Sequence, residues 1–484
     1  MIAGQSRALG EQRRALGALR AENAELARRV ARLERIVSRN SGNSSMPPSG
    51  DDLLPGRGKP EGKRRGDGGA RRKRGKQPGA EGRWLGWADV PDETKCHRPA
   101  GRCACGADLA AAEDVCVERS HQVHDLPETT VTVTQHDVWR VRCGCGREHA
   151  GTLPPDVPAA PSSYGPGLKA LVVYLIVYQH VPVERCVQLV ADLTGGRAPS
   201  AGFVHGMLSR CAAVLTEVVK LIKTAVTLAA VAGFDETVIR CGPADCKKYI
   251  LSGSTESAVA YYLGGRDLGS FTTFGILPSF AGIAVHDRYS CYFHKGWASL
   301  AGHQVCLAHL IRDFEDAAEC WPGAIWPVQA QRALRGLIRA WHGARGQRLP
   351  QIPARVRDPL ISEFRHAVLA GCSDVPRIPG PRSSTAQHPG RDLLEFCRDR
   401  QDDVTRFCYD ARVWPTNNIS ERDLRPAKTQ QKISGRLTSE HITQDRLDIR
   451  SYIDTARKCG GNVMTALRDA VSGSPWTPPL PAPA

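Results

Sequence analysis

Between Leu228 and Ala308 the chain is built of short strand-like segments. Val231 to Arg240 reads as a first strand, Lys248 to Gly253 as a second and Val259 to Leu263 as a third. Leu268 to Leu277 reads as a crossover helix, Gly282 to Asp287 as a short apolar strand, and Gln304 to Ala308 as another. Parallel neighbours need a crossover connection, whereas antiparallel ones need only a turn. Three strands, a helix, a strand, a helix and a strand therefore suit a mixed α/β sheet.

Two of these elements end in acids. Asp235 closes the apolar run Leu228 to Phe234, and Asp287 closes Ile283 to His286. A third acid, Glu421, opens a predicted helix within Asn417-Asn418-Ile419-Ser420-Glu421-Arg422. Side chains alternate along a strand, so only one of Asp235 and Glu236 should enter a shared site; Asp235 is chosen, leaving Glu236 on the face of Phe234. On the helix, Asn417, Asn418 and Arg425 share a face with Glu421 and are candidate DNA contacts, while Asp423 lies about 200° around. In a ribonuclease-H-like sheet the two aspartates lie on adjacent strands, and two aspartates with one glutamate can cage two Mg²⁺ or Mn²⁺ ions for phosphodiester chemistry.

The rest of the chain divides by composition. Residues 1–42 carry Leu9, Leu16, Asn23, Val30 and Val37 in one heptad row and Leu19, Leu26 and Leu33 in its partner, which predicts a coiled coil and a homodimer or higher oligomer. Residues 43–91 form a basic linker expected to be disordered, with Lys63, Arg64, Arg65, Arg71, Arg72, Lys73 and Arg74 able to neutralise phosphates. The whole chain carries a formal charge of +15, which agrees with a polyanionic partner. Residues 92–155 hold Cys103, Cys105, Cys143 and Cys145 around an alternating stretch, Thr129 to Arg142, and read as a small β module with a structural Zn²⁺. Reduced cysteines in a plain β module are the alternative, with Cys96 or His97 able to replace a ligand. Residues 156–227 are helical; Val183 to Leu193 and Ala201 to Leu215, with Ser200 as an N-cap, fit either a helix-turn-helix or ordinary core helices. Residues 228–320 and 411–475 form the two parts of the catalytic domain. Residues 321–410 read as a helical insertion, with helices over Gln329 to His342 and Leu360 to Ala370 and a break at Pro376 to Gly390. Residues 476–484 read as a disordered tail. A charged N-terminus and short apolar runs give no membrane or secretory signal, so the expected location is cytoplasmic and nucleoid-associated.

With these residues in view, the chain resembles the insertion-sequence 66-type transposases of the DDE superfamily. The resemblance runs through Asn43-Ser44-Ser45 with Pro47-Pro48-Ser49, the cysteine pairs, Tyr164-Gly165-Pro166, Asp235-Glu236-Thr237 and Val285-His286-Asp287. It continues through Cys306-Leu307-Ala308-His309-Leu310-Ile311-Arg312, Asn417-Asn418 with Glu421-Arg422, and Lys432-Ile433-Ser434-Gly435. It implies Asp235, Asp287 and Glu421 as the acidic triad, metal-dependent cleavage at transposon ends, strand transfer into target DNA, and accessory transposition proteins as partners. Two positions depart from the family: Thr416 stands where Asp is usual, and the first cysteine pair is C-x-C rather than C-x-x-C. The alternatives are a catalytically decayed DNA-binding protein, to which Thr416 points, and a ribonuclease-H-like nuclease without strand transfer.

Overall fold

The computed structural model describes residues 86–484 apart from 114, 126–130, 155–156, 159, 244–246, 381–388 and 481–484, with Leu16, Gly17, Leu19, Glu22 and Val30 before them. Most of the expected coiled coil, and all of the basic residues named in the linker, lie outside the described residues.

The centre is a five-stranded sheet. Its strands are β3 (Val231–Arg240), β4 (Lys247–Ser254), β5 (Val259–Gly264), β6 (Ile283–His286) and β7 (Gly302–Val305), following a separate small hairpin of β1 (Arg140–Arg142) and β2 (Glu148–Ala150). The order is β5-β4-β3-β6-β7. The first three strands are antiparallel, and β6 and β7 run parallel to β3. The expected mixed sheet is therefore present. The β3/β6 register ends at Gly233↔Val285, so two residues further on Asp235 and Asp287 are level with each other.

Helices cover both faces. Before the sheet come α1 (Pro166–Val173), α2 (Val183–Leu193) and α3 (Ala201–Thr227); α4 (Leu268–Phe274) makes the crossover. Ser200 caps α3, its hydroxyl accepting from the Phe203 N–H at 3.2 Å. Helix α3 continues well past Leu215 because its apolar face does: Val204, Leu208, Cys211, Leu215, Ile222 and Val226 are all buried. By length and composition it would also cross a membrane, but that apolar face packs in the core with Phe234, Leu251 and Tyr452. Phe234 itself is fully buried, edge to face with Phe280 at 5.4 Å; a ring buried this way contributes roughly 1.5–3 kcal/mol.

The opposite face carries Val231, Val285 and Val305, packed on α5 (Leu307–Cys320), α6 (Trp326–Gly346), α7 (Ala354–Asp374), α8 (Pro389–Asp399) and α9 (Gln401–Thr405). The expected helices at Gln329 to His342 and Leu360 to Ala370 lie inside α6 and α7; α8 and α9 were not anticipated. The chain ends in α10 (Asn418–Ile433), α11 (Glu440–Lys458) and α12 (Val463–Val471).

Two expectations require correction. The strand expected at Gln304 to Ala308 stops at Val305, because Leu307, Leu310, Phe314 and Ala317 have helical spacing and bury one face of α5. Among the described residues of the stretch Thr129 to Arg142, only Arg140–Arg142 forms a strand. Val133, Val138 and Trp139 are exposed, so the alternation there has no covered face to drive pairing.

Candidate active site

Asp235 sits on β3 on the same side as Gly233, and that side faces α10. A Cβ at Gly233 would stand 2.4 Å from Ser420 Oγ and 2.7 Å from Asn417 Oδ1. Only glycine allows this approach of strand and helix, and the approach brings Glu421 toward Asp235. Gly233→Ala is expected to cost about 1–3 kcal/mol through overpacking, read as a lowered thermal midpoint. An unchanged midpoint would mean that the helix yields freely.

Asn417 fastens the start of α10 in two directions. Its side-chain N–H donates to the Phe234 carbonyl at 2.7 Å, and its backbone N–H donates to Cys306 Sγ at 3.2 Å. The residue is 1 % exposed. This corrects its expected role: the amide is used inside the protein rather than offered to DNA. Asn418 is exposed at the first turn of α10. Arg425 is also exposed, on an open groove lined by Arg422, Arg450, Arg457 and Lys458 as well.

Asp235 feels the charge of the other two predicted acids. Burial pushes the Asp235 carboxyl well above its ordinary value, and the charges of Glu236, Asp287 and Glu421 push it the same way. Burial also raises Asp287, against the pull of the Tyr289 N–H, which donates to Asp287 Oδ1 at 2.7 Å. Glu421 is half-buried, and its Oε1 has no hydrogen-bond partner. Asn417 Oδ1, Ser420 Oγ and His309 Nδ1 are likewise buried without a hydrogen-bond partner. A divalent cation would relieve the charge that the neighbouring acids place on Asp235, although the ligand atoms of Asp235, Asp287 and Glu421 are not drawn into one shell in this structure.

Glu236 faces away from Asp235, as alternation requires. Its carboxylate accepts from Arg266 Nε at 2.6 Å and from the Tyr292 hydroxyl. Arg266 also reaches to 3.8 Å of Asp287 Oδ2 and lies over the Tyr289 ring, with its guanidinium carbon 4.0 Å from the ring centroid. Sequence reasoning missed Arg266 and Tyr292, because nothing in the turn Gly264-Gly265-Arg266-Asp267 points to a distant acid. Behind Asp287, His286 Nε2 stands 2.9 Å from His303 Nδ1, and burial lowers the His286 pKa to about 3.

Cys306 and His309, noted in the sequence without a role, lie against Glu421. His309 Nε2 is 3.9 Å from Glu421 Oε1. Burial, then the charges of Arg312 and Arg288, lower the His309 pKa to about 4, so the ring is neutral at neutral pH. Burial pushes the Cys306 thiol up to about 11. Arg312 folds back, its Nε donating to the Ala308 carbonyl at 3.2 Å.

The four cysteines expected to hold zinc occupy two similar turns. The Gly106 and Gly146 N–H groups each donate at 2.8 Å to the carbonyl of the leading cysteine, Cys103 or Cys143. The two glycines have φ of 91° and 85°, in the left-handed region. Backbone and thiol hydrogen bonds from Cys105 hold the Cys103 thiol below its ordinary value, and Cys145 does the same for Cys143. The two pairs are not brought into one ligand shell in this structure.

The comparison with curated proteins gives no match. Residues 4–84 match a family of unknown function, DUF6444. Residues 161–444 match the model of the IS66 family of transposases, a span that includes the whole central sheet, the three acids and the Cys306–His309 pair. With more than half of its length inside that match, the chain belongs to the IS66 transposase family.

Proposed function

We propose that the chain is a DDE-type transposase that cleaves DNA at its element's ends and joins them to target DNA, with Asp235, Asp287 and Glu421 as its catalytic triad. The observation that carries this is the placement of the three carboxyls, with Asp235 in the middle of β3, Asp287 level with it just past β6 and Glu421 in the first turns of α10, the charges of the last two both raising Asp235. The sheet order, antiparallel on one side of β3 and parallel on the other, supports a ribonuclease-H-like catalytic domain. When bound, two divalent ions would activate water and neutralise charge on the leaving oxygen.

The protein's own groups do the remainder. Asp235 and Asp287 stand level on neighbouring strands, and Asn417 and Gly233 hold the start of α10 against β3 on the Asp235 side, which brings Glu421 toward Asp235. Arg266 balances the buried charge of Glu236 and reaches toward Asp287. Arg422 and Arg425 offer cations to the DNA backbone. In the first step a water oxygen bonds to phosphorus as the P–O3′ bond breaks, and the leaving oxygen takes up a proton to give a 3′-hydroxyl. In the second, that hydroxyl attacks a target phosphodiester, forming one P–O bond as another breaks. Neither step needs a covalent protein–DNA intermediate.

Around this domain we place the other modules as the sequence suggests them. A coiled coil over 1–42 brings two protomers to the two element ends, and the basic linker over 43–91 contacts phosphates. A zinc module over 92–155 and helices over 156–227 precede the catalytic body.

The test is incubation of the full chain with Mg²⁺ and labelled DNA carrying the element's own terminal repeat. Cleaved and joined products are expected. Cleavage without joining would make the protein a nuclease. Binding without cleavage, with accessory proteins supplied, would favour the decayed alternative, and Thr416→Asp would be the first reversion to make.

A further inference from the structure

We propose that Cys306, His309 and Glu421 form a binding site for a thiophilic divalent cation of the zinc class, beside the triad and sharing Glu421 with it. One ligand atom from each of the three residues lies within 4.8 Å of the other two, and this is the only such cluster of three or more among the described residues. A tetrahedral ion at ordinary Zn–N, Zn–O and Zn–S lengths requires separations of about 3.4–3.8 Å. Closing the set therefore takes side-chain movements of roughly 1 Å.

The local structure suits the ligands. Cys306 immediately precedes α5, and His309 follows three residues later, so thiol and imidazole project to the same side. The backbone N–H groups of Asn417, His309 and Ala308 all point at Cys306 Sγ, where they can offset the charge of a bound thiolate. Glu421 Oε1 is buried without a hydrogen-bond partner, and His309 Nε2 faces it at 3.9 Å. Such an orphaned oxygen carries a desolvation cost that a bound cation would relieve. Thiolate and imidazole select zinc-class ions, whereas Mg²⁺ takes oxygen ligands. The site is thus chemically distinct from the Asp235–Asp287 side of the cleft. Three protein ligands leave one coordination position open.

A consequence rests on the proposed role of Glu421 in cleavage: a zinc-class ion held here draws that carboxylate away from Asp235 and inhibits the Mg²⁺-dependent reaction. Binding itself does not depend on that role, so it is tested without DNA. Co²⁺ is titrated into the full chain carrying Cys103, Cys105, Cys143 and Cys145 all changed to Ser. One equivalent is expected to give a sulfur-to-cobalt charge-transfer band that Zn²⁺ abolishes. A further Cys306→Ser should remove the band, and His309→Ala should weaken binding at least about tenfold. Circular dichroism checks the fold of each variant. In the otherwise unaltered chain, Cys306→Ser alone should reduce the bound Co²⁺ by one equivalent, which covers misfolding of the fourfold variant. A band unchanged by Cys306→Ser, or the same Co²⁺ stoichiometry with and without that thiol, overturns the proposal.

Discussion

Glu421→Gln is expected to reduce Mg²⁺-dependent cleavage and joining by about 10²–10³-fold, the loss typical of removing one group that stabilises transition-state charge. The substitution keeps the shape of the side chain and removes its charge. Asn417 still donates to Phe234, so α10 should stay in place. DNA affinity should therefore change less than about twofold, because a neutral amide relieves repulsion rather than adding a phosphate contact. Gel-shift titration and product analysis on the same preparations separate the two effects. Cleavage at the wild-type rate would remove Glu421 from the proposed site. Parallel loss of binding and cleavage would show that it supports the helix instead.

The largest expected loss of stability follows from Lys458→Met. Lys458 Nζ lies 2.5 Å from Asp423 Oδ2 and 2.8 Å from the Thr255 carbonyl. Both charged side chains are nearly enclosed, with 11 % and 6 % exposed. Burial raises Asp423 and lowers Lys458, each opposed by the partner's charge. Removing one partner leaves a buried charge uncompensated, which costs about 3–5 kcal/mol. A raised carboxyl favours the folded state below its ordinary value of 3.8 and loses that advantage as pH rises through its folded value. Without Lys458 the folded value rises further. The deficit in the variant should thus widen from pH 4 to pH 7 and shrink again in acid. Asp423→Asn combined with Lys458→Met should recover much of it. A constant deficit across that range in urea unfolding would mean that the ion pair is not the cause.

The parts of the fold carried by local patterns were legible in the sequence. Val231 to Arg240 was read residue for residue, and Ser200 was recognised as a cap, because alternation and capping are written in neighbouring residues. The stop at Val305 was not, since Cys306-Leu307-Ala308 is apolar enough for either strand or helix and the burial of Leu310 and Phe314 decides it. In the site, Asp287 and Glu421 could be nominated because each stands at an element end, and Asp235 because it closes an apolar run, although in the structure it lies in the middle of β3. Arg266, Tyr292 and the true use of Asn417 could not, because each acts on a residue far along the chain. The bond from Asn417 to Phe234 spans 183 positions, and that from Tyr292 to Glu236 spans 56.

That same separation governs when the site comes into being. The helix bearing Glu421 cannot dock on β3 until the insertion helices have been synthesised and the chain has returned to the sheet. Its anchor at Lys458 emerges from the ribosome later still. Long-range closures of this kind form late in folding. On the proposed assignment, a nascent or prematurely terminated chain carries Asp235 and Asp287 without their third partner and cannot cut.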